Sequence, residues 1–233
     1  DHRDLHLSLR RQRQMCIRDR YDPDHERDNC GFGFIAHIKG KKTHKLVRDG
    51  LQILANLDHR GAVGADPLAG DGAGILVHIP DQLMREELAR DDVVLPEPGH
   101  YGVGMVFLPR DEDARNRCID SIIRSVTSEG ATVLGWRDVP TDNACLGESV
   151  KPNEPIIKQV VISRPSGVVD QEEFERKLFV IRKQAHKKIW YPGEGDDGDS
   201  TGVFYITSFS SRLVCYKGMV LSLIHISEPT RRR

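Results

Sequence analysis

The chain has 233 residues, of which 38% are hydrophobic, enough for the core of one large domain or two small ones. A formal net charge of −1 and the lack of a long apolar block argue against nucleic-acid binding, a membrane span and a secretory signal. Five widely spaced cysteines form no Cys-x-x-Cys pair, so neither a zinc site nor a disulfide framework is predicted. We therefore expect a cytoplasmic globular protein.

The sequences at the two ends of the chain can be read as translations of opposite strands of one short DNA element. Residues 15–20 can be encoded by a short element whose reverse complement, read in another frame, encodes Leu-Ser-Leu-Ile-His-Ile, the sequence of residues 221–226. This element resembles the transposon end used in sequencing-library adapters. We predict that residues 1–20 are an adapter-derived or unassigned leader and that residues 221–233 are an adapter-derived tail. The alternative is a pair of basic, disordered arms that bind nucleic acid.

The first predicted elements are a strand and a helix. Residues 32–38 form an apolar run with glycine inside it, followed by a Lys-Gly-Lys-Lys turn, which predicts a strand and its turn. After Thr43, a candidate N-cap, leucine and valine recur at mostly three- and four-residue steps. This spacing predicts an amphipathic helix that ends at Gly61. Residues 75–79 then predict a buried strand, and residues 80–88 a helix.

The remaining predicted elements are five strands and two long helices. We predict a strand at 101–108, a helix at 111–128, strands at 132–136 and 156–162, and a helix at 172–191. Residues 203–208 and 212–217 are typical of a hairpin around Ser210 and Ser211. Because several strands arrive in neighbouring pairs, antiparallel sheets with helices packed on them are favoured. No domain boundary is predicted inside 21–220.

Cys30 is the first candidate for chemistry, because it lies between polar residues and the glycines Gly31 and Gly33. A cysteine at a free chain end would have its own α-amino group as a base, since that amine titrates near neutral pH. This role requires cleavage between Asn29 and Cys30. The alternative is that Cys30 is a small buried residue at the start of a strand.

The other candidate motifs carry weaker signals. Asp71-Gly-Ala-Gly74 lacks the Gly-Lys-Ser/Thr ending of a phosphate loop and a full Gly-x-Gly-x-x-Gly fingerprint, which favours a tight turn near the active site. Cys118, Cys145 and Cys215 are each isolated from possible metal partners, so we expect them to be inert. The isolated histidines are given the same interpretation.

Several motifs taken together resemble the opening of the glutamate synthase large-subunit family in order and spacing. The early ones are Tyr21-Asp-Pro, Glu26-Arg-Asp-Asn-Cys-Gly-Phe-Gly-Phe-Ile-Ala36, His59-Arg-Gly61 and Gly70-Asp-Gly-Ala-Gly74, and Leu134-Gly-Trp-Arg-Asp-Val-Pro140 is a later one. The resemblance runs through 21–220. It implies a class II glutamine amidotransferase domain with the N-terminal-nucleophile fold, an α+β four-layer αββα sandwich of antiparallel sheets, incomplete at its C-terminus.

The resemblance also implies roles for individual residues. Cys30 matches the family's nucleophile, residues 21–29 would end a propeptide, and residues 30–220 would be a partial amidotransferase domain. Cys30 would attack the side-chain amide of L-glutamine, release ammonia and leave a glutamyl thioester. Arg60 matches an arginine that would orient the cysteine and stabilise charge. The alternative for Arg60 is a surface arginine at the end of a helix.

For the complete subunit, the resemblance implies glutamate synthesis from 2-oxoglutarate, FMN, a 3Fe-4S cluster, and a small subunit or ferredoxin as electron donor. None of these cofactors is expected within this chain. The family's substrate-clamp and oxyanion motifs do not occur before residue 220, so we expect the chain alone to be inactive. The competing hypothesis is a non-catalytic binding or assembly module of the same fold.

Overall fold

The computed structural model describes residues 31–57, 71–144, 146–191 and 202–220. The elements in chain order are α1 (His44–Asn56), β1 (Asp71–His78), α2 (Asp81–Leu88), β2 (Tyr101–Leu108), α3 (Glu112–Ser128), β3 (Val133–Asp138), β4 (Ile156–Ser163), α4 (Gln171–Trp190), β5 (Tyr205–Ser210) and β6 (Leu213–Val220). Short 3-10 turns follow α2 at Ala89–Asp91 and precede β4 at Lys151–Asn153.

The strands form two antiparallel sheets. One has four strands in the order β3-β4-β2-β5, and the other pairs β1 with β6. Every pairing among the described strands is antiparallel, with Tyr101 opposite Ser163 in one sheet and Ile75 opposite Tyr216 in the other. The predicted preference for antiparallel sheets is therefore confirmed.

The four-stranded sheet lies between two packed layers. Because side chains alternate along a strand, Val106 and Leu108 of β2 pack against α3 and α4, whereas Val103 and Met105 pack against α2 and the β1–β6 sheet. Burying each such side chain contributes about 1.5–3 kcal/mol. The predicted α+β class, with antiparallel sheets packed face to face and helices against them, is confirmed.

Two glycines in β2 let its neighbours approach closely. A Cβ on Gly102 would lie 2.8 Å from Cδ2 of Leu178 in α4, and one on Gly104 would lie 2.7 Å from Cγ1 of Val160. Contacts this short would displace the neighbouring side chains. Gly102 therefore allows α4 to pack closely on the sheet, and Gly104 allows the Val160 side chain of β4 to approach β2.

Local signals placed the long helices correctly. Asp111 accepts a hydrogen bond from the Ala114 N–H at 2.8 Å, and Asp170 accepts one from the Glu173 N–H at 3.1 Å. Each of these aspartates is the N-cap residue of its helix, α3 or α4. The side chains satisfy helix N–H groups that have no partner within the helix, and this fixes where α3 and α4 begin.

The predicted strand at 32–38 is wrong, because residues 31–37 adopt no regular structure. Phe32 is 86% exposed and Phe34 is 81% exposed. A strand requires a neighbouring ladder, and none of the described strands pairs with this segment. The helix that follows also ends earlier than predicted, at Asn56 rather than near Gly61, where Leu57 closes its last turn.

The predicted hairpin is wrong in its pairing, because β5 and β6 belong to different sheets. The register of β5 shifts between Ser208 and Ile206, which leaves Thr207 as a bulged residue. The Thr207 hydroxyl donates to the Cys215 carbonyl at 3.1 Å, and Ser208 Oγ accepts from the Cys215 N–H at 2.9 Å. Side-chain hydroxyls therefore link β5 to β6 where a backbone ladder was predicted.

The start of α2 is tied to β2 through Asp81. Tyr101 Oη donates to Asp81 Oδ1 at 2.7 Å, and Arg85 Nε donates to Asp81 Oδ2 at 2.9 Å. Burial raises the pKa of Asp81, but the hydrogen bonds from Arg85 and Tyr101 outweigh it and hold this pKa below its usual value. The ionised carboxylate therefore stabilises the folded state.

We predict that Asp81→Asn lowers the melting temperature at pH 7 by about 2–4 °C. Because the folded-state pKa is depressed, this stabilisation is present above the unfolded pKa of about 3.9 and is lost as the pH falls through the folded pKa. The difference between wild type and variant should therefore shrink below about pH 4 in thermal denaturation. Asp91→Asn, at an exposed carboxylate, is the control. A difference that stays constant with pH would contradict this account.

Candidate functional site

The two predicted catalytic residues, Cys30 and Arg60, lie outside the described residues, and so does Cys145. Their roles therefore stay predictions. The described residues closest to them in sequence are Gly31, which follows Cys30, and Leu57, which precedes Arg60 by three positions.

The segment after Cys30 packs against the last turns of α1. A Cβ on Gly31 would lie 3.0 Å from Cδ2 of Leu57, and one on Gly33 would lie 2.3 Å from Cγ2 of Ile53. The second distance is too short for any side chain, so glycine is required while Ile53 keeps this position. The chain just after Cys30 is therefore in contact with the end of the helix that leads to Arg60.

A wide groove is lined by this segment and by the β1–β6 sheet. Its volume is about 2700 Å³, and its lining includes residues 31–37, Leu46 and Ile53 of α1, and the exposed face of the sheet. Pockets for single small molecules usually measure roughly 300–1,000 Å³. The groove is therefore larger than one amino-acid substrate needs.

The predicted tight turn at 71–74 is wrong, because these residues form the first half of β1 and pair with residues 217–220 of β6. Gly72 and Gly74, here called the glycine strip, occupy alternate positions on this strand and line the groove. A Cβ on Gly74 would lie 2.9 Å from the Tyr216 carbonyl oxygen. The strip therefore presents bare backbone to the groove that the segment after Cys30 also lines.

A polar relay, formed by Arg137, Gln159 and Tyr216, runs through the layer between the two sheets. Arg137 Nη1 donates to Gln159 Oε1 at 3.1 Å, and Gln159 Nε2 donates to Tyr216 Oη at 3.2 Å. Arg137 Nη2 also lies 3.6 Å from a carboxylate oxygen of Glu87. Sequence reasoning missed this relay, because its three members come from three different strands and share no spacing.

The turn before β6 is held by α4. The Glu175 carboxylate accepts hydrogen bonds from the Ser210 hydroxyl at 3.1 Å and from the Ser211 N–H at 2.8 Å. Arg212 donates to Glu172 at 2.6 Å. These contacts fix the position of the turn between β5 and β6 against α4.

The remaining described cysteines carry no sign of reactivity. Cys118 is buried in the core beside α4 and β4. Burial raises the pKa of the Cys215 thiol above its ordinary value, although Lys217 and Arg182 lower it in part. A raised pKa reduces the fraction of nucleophilic thiolate at neutral pH.

The described part of the chain contains neither a group of potential metal ligands nor a helix that could span a membrane. Within it, no three His, Cys, Asp or Glu side chains are grouped so that they could hold a metal ion. Of the helices described there, none is long and apolar enough to cross a bilayer.

Comparison with known proteins identifies a family. The family of class-II glutamine amidotransferases matches residues 30–226. A glutamate synthase [NADPH] large chain of Bacillus subtilis is 46% identical over 200 residues, covering 86% of this chain and 12% of the relative. Ferredoxin-dependent glutamate synthase 2 of Synechocystis is 40% identical over 199 residues, covering 85% of this chain and 12% of the relative.

A more distant relative extends the comparison to fungi. Glutamate synthase [NADH] of Schizosaccharomyces pombe is 35% identical over 209 residues, covering 86% of this chain and 9% of the relative. The chain thus spans about an eighth of the length of the bacterial relatives it matches, at 12% each.

Proposed function

Because the chain belongs to the class-II glutamine amidotransferase family, we propose that it is the glutamine-hydrolysing part of a glutamate synthase, with Cys30 as its nucleophile. The family expected from the sequence motifs is confirmed by the match and by the relatives named glutamate synthase. Membership of this family implies glutamine as the substrate.

The observation that carries the proposal is the contact between Gly31 and Leu57. Cys30 lies one residue from this contact and Arg60 lies three residues from it, and each residue of extended chain spans at most about 3.6 Å. The two candidate residues therefore adjoin segments of the chain that contact each other. The family match that begins at residue 30 also supports Cys30 as the first residue of the mature domain.

In the proposed reaction the α-amino group of Cys30 takes the thiol proton. The thiolate then adds to the δ-carbonyl carbon of glutamine, and the tetrahedral intermediate collapses by expelling ammonia, which receives that proton. A glutamyl thioester remains. Water adds to the thioester carbonyl, the carbon–sulfur bond breaks, and glutamate and the free thiol are released. The mechanism requires that residues 21–29 be removed.

Arg60 is proposed to stabilise the negative charge that develops on sulfur and on the carbonyl oxygen. The glycine strip across the groove supports close approach of the substrate, because no side chain projects from Gly72 or Gly74. If Arg60 is instead a surface residue at the end of a helix, its replacement should leave glutamine hydrolysis unchanged.

In the complete enzyme, the ammonia is proposed to reach a distant site where glutamate is made from 2-oxoglutarate. FMN and a 3Fe-4S cluster would serve that site, with a small subunit or ferredoxin as electron donor. The described residues of this chain contain no cluster of three potential metal ligands, and no step of the glutaminase reaction uses these cofactors.

The proposal is tested with a glutamine analogue that carries an electrophile in place of the side-chain amide. The full-length polypeptide would be incubated with the analogue, digested, and analysed by mass spectrometry. We expect the label on Cys30, with competition by glutamine, while Cys118 and Cys215 stay unmodified. Labelling of all three thiols at similar rates, or of none, would favour a non-catalytic module of the same fold.

A further inference from the structure

The relay of Arg137, Gln159 and Tyr216 is a polar connection inside an otherwise apolar layer. Gln159 is 1% exposed and Tyr216 is 5% exposed. The side chains packed in the same layer include Val103, Met105 and Val214. A buried amide or hydroxyl is costly unless it is hydrogen-bonded, so these groups depend on each other for their place in the core.

The hydrogen bonds of the relay can be donated in only one direction, from Arg137 towards Tyr216. Because a guanidinium group can only donate, the Gln159 oxygen must face Arg137. The amide nitrogen is then directed at Tyr216, whose hydroxyl oxygen accepts. A charged donor at one end strengthens the hydrogen bonds further along such a chain. The Gln159 amide therefore specifies one position for the Tyr216 ring.

Tyr216 in turn determines where the glycine strip lies. Its carbonyl oxygen is 2.9 Å from the position that a Cβ of Gly74 would occupy, and its Cα partner in the ladder is Ile75. A shift of Tyr216 would therefore move β1 together with β6. β6 is joined to β5 by hydrogen bonds of the Thr207 and Ser208 hydroxyls to the Cys215 backbone.

We propose that Tyr216 is a positioning residue for glutamine hydrolysis. Its hydrogen bond to Gln159 holds β6 and, through the ladder to β1, the glycine strip, which lines the groove together with the segment that follows Cys30. The inference rests on the proposed function. Tyr216 lies in the core and is far from Cys30 in sequence, yet it affects the reaction at Cys30.

The test compares two Tyr→Phe substitutions in the full-length enzyme. Tyr216→Phe removes the bond to Gln159, and Tyr101→Phe removes the bond to Asp81, so each deletes one hydroxyl from the same core. We expect Tyr216→Phe to lower kcat/KM for glutamine about tenfold and to slow analogue labelling of Cys30 in parallel. Tyr101→Phe should stay within about twofold of wild type at a similar loss of thermal stability.

Hydrogen exchange provides a second readout that does not depend on catalysis. Tyr216→Phe should speed amide exchange in β1 and β6, whereas Tyr101→Phe should not. Gln159→Glu is the conservative variant, because a carboxylate still accepts from Arg137 and can also accept from Tyr216. We expect it to keep kcat/KM within about threefold of wild type.

Equal losses of activity in Tyr216→Phe and Tyr101→Phe would overturn the inference, as would a loss in Gln159→Glu as large as that in Tyr216→Phe. The two failures are distinguishable. Wild-type enzyme without glutaminase activity would remove the proposed function and this inference together. Active wild-type enzyme with unchanged kinetics in Tyr216→Phe would remove only the inference.

Discussion

Replacing Cys30 with alanine is expected to lower kcat for glutamine hydrolysis by at least about 10³-fold, because the proposed thioester forms on the Cys30 sulfur. Ammonia release from glutamine by the full-length enzyme is the measurement. Cysteine and alanine are both small residues, so we expect the variant to fold. The expected variant is therefore well folded and inactive with glutamine.

Cys215→Ala is the matched control. The Cys215 thiol lines the same groove, but burial raises its pKa, and its position in β6 carries no proposed chemistry. Its replacement should leave glutaminase activity within about twofold of wild type. The nucleophile assignment would be wrong if Cys30→Ala kept substantial activity, or if both variants lost activity equally.

A single methyl group on Gly33 is expected to lower glutaminase kcat/KM about 10²-fold, the loss typical of a 1 Å displacement at a reacting centre. The Cβ of Gly33→Ala would lie 2.3 Å from Cγ2 of Ile53, a distance that requires one side to move. Since Gly33 lies three residues after Cys30, the displacement would be transmitted to the nucleophile. Steady-state kinetics of the full-length variant measure the effect.

Ile53→Ala should partly rescue Gly33→Ala, because it removes the methyl group that the new Cβ meets. The double variant should regain about tenfold in kcat/KM relative to Gly33→Ala. Gly218→Ala is the control, since a Cβ there meets nothing within 4 Å. Additive losses in the double variant, or an equal loss in Gly218→Ala, would contradict the account.

The helices and the central strand were predictable because their signals are local. The predicted bounds of β2 match the structure, and those of α2, α3 and α4 differ from it by at most one residue at each end. An aspartate N-cap begins each of the long helices, and apolar side chains recur on their buried faces. Periodicity and capping act over a few residues, so the sequence contains them directly.

The errors concern contacts between distant residues. The apolar run at 32–38 has the composition of a strand, but the chain supplies no ladder for it among the described residues. β5 is bulged at Thr207 and lies in a different sheet from β6, and two hydroxyls of β5 bond the Cys215 backbone in place of a ladder. Strand propensity describes a half-buried pleated surface and says nothing about which strands pair.

In the candidate site, too, local sequence signals were predictable and contacts between distant residues were not. Spacing alone left Cys30 and Arg60 with structural alternatives, and only the resemblance to a family favoured chemistry at these positions. The contact of Gly33 with Ile53 and the relay through Gln159 could not be predicted, because they join residues on different elements. Such contacts depend on packing, which has no period in the sequence.

The mature amino terminus tests the central claim most directly. The complete reading frame would be expressed in its natural form, and the intact mass of the purified protein would be measured. We predict a chain that begins at Cys30, with residues 21–29 removed, since only a free α-amino group can act as the base. A mass that retains Asn29 in an enzyme with full glutaminase activity would contradict the proposed mechanism.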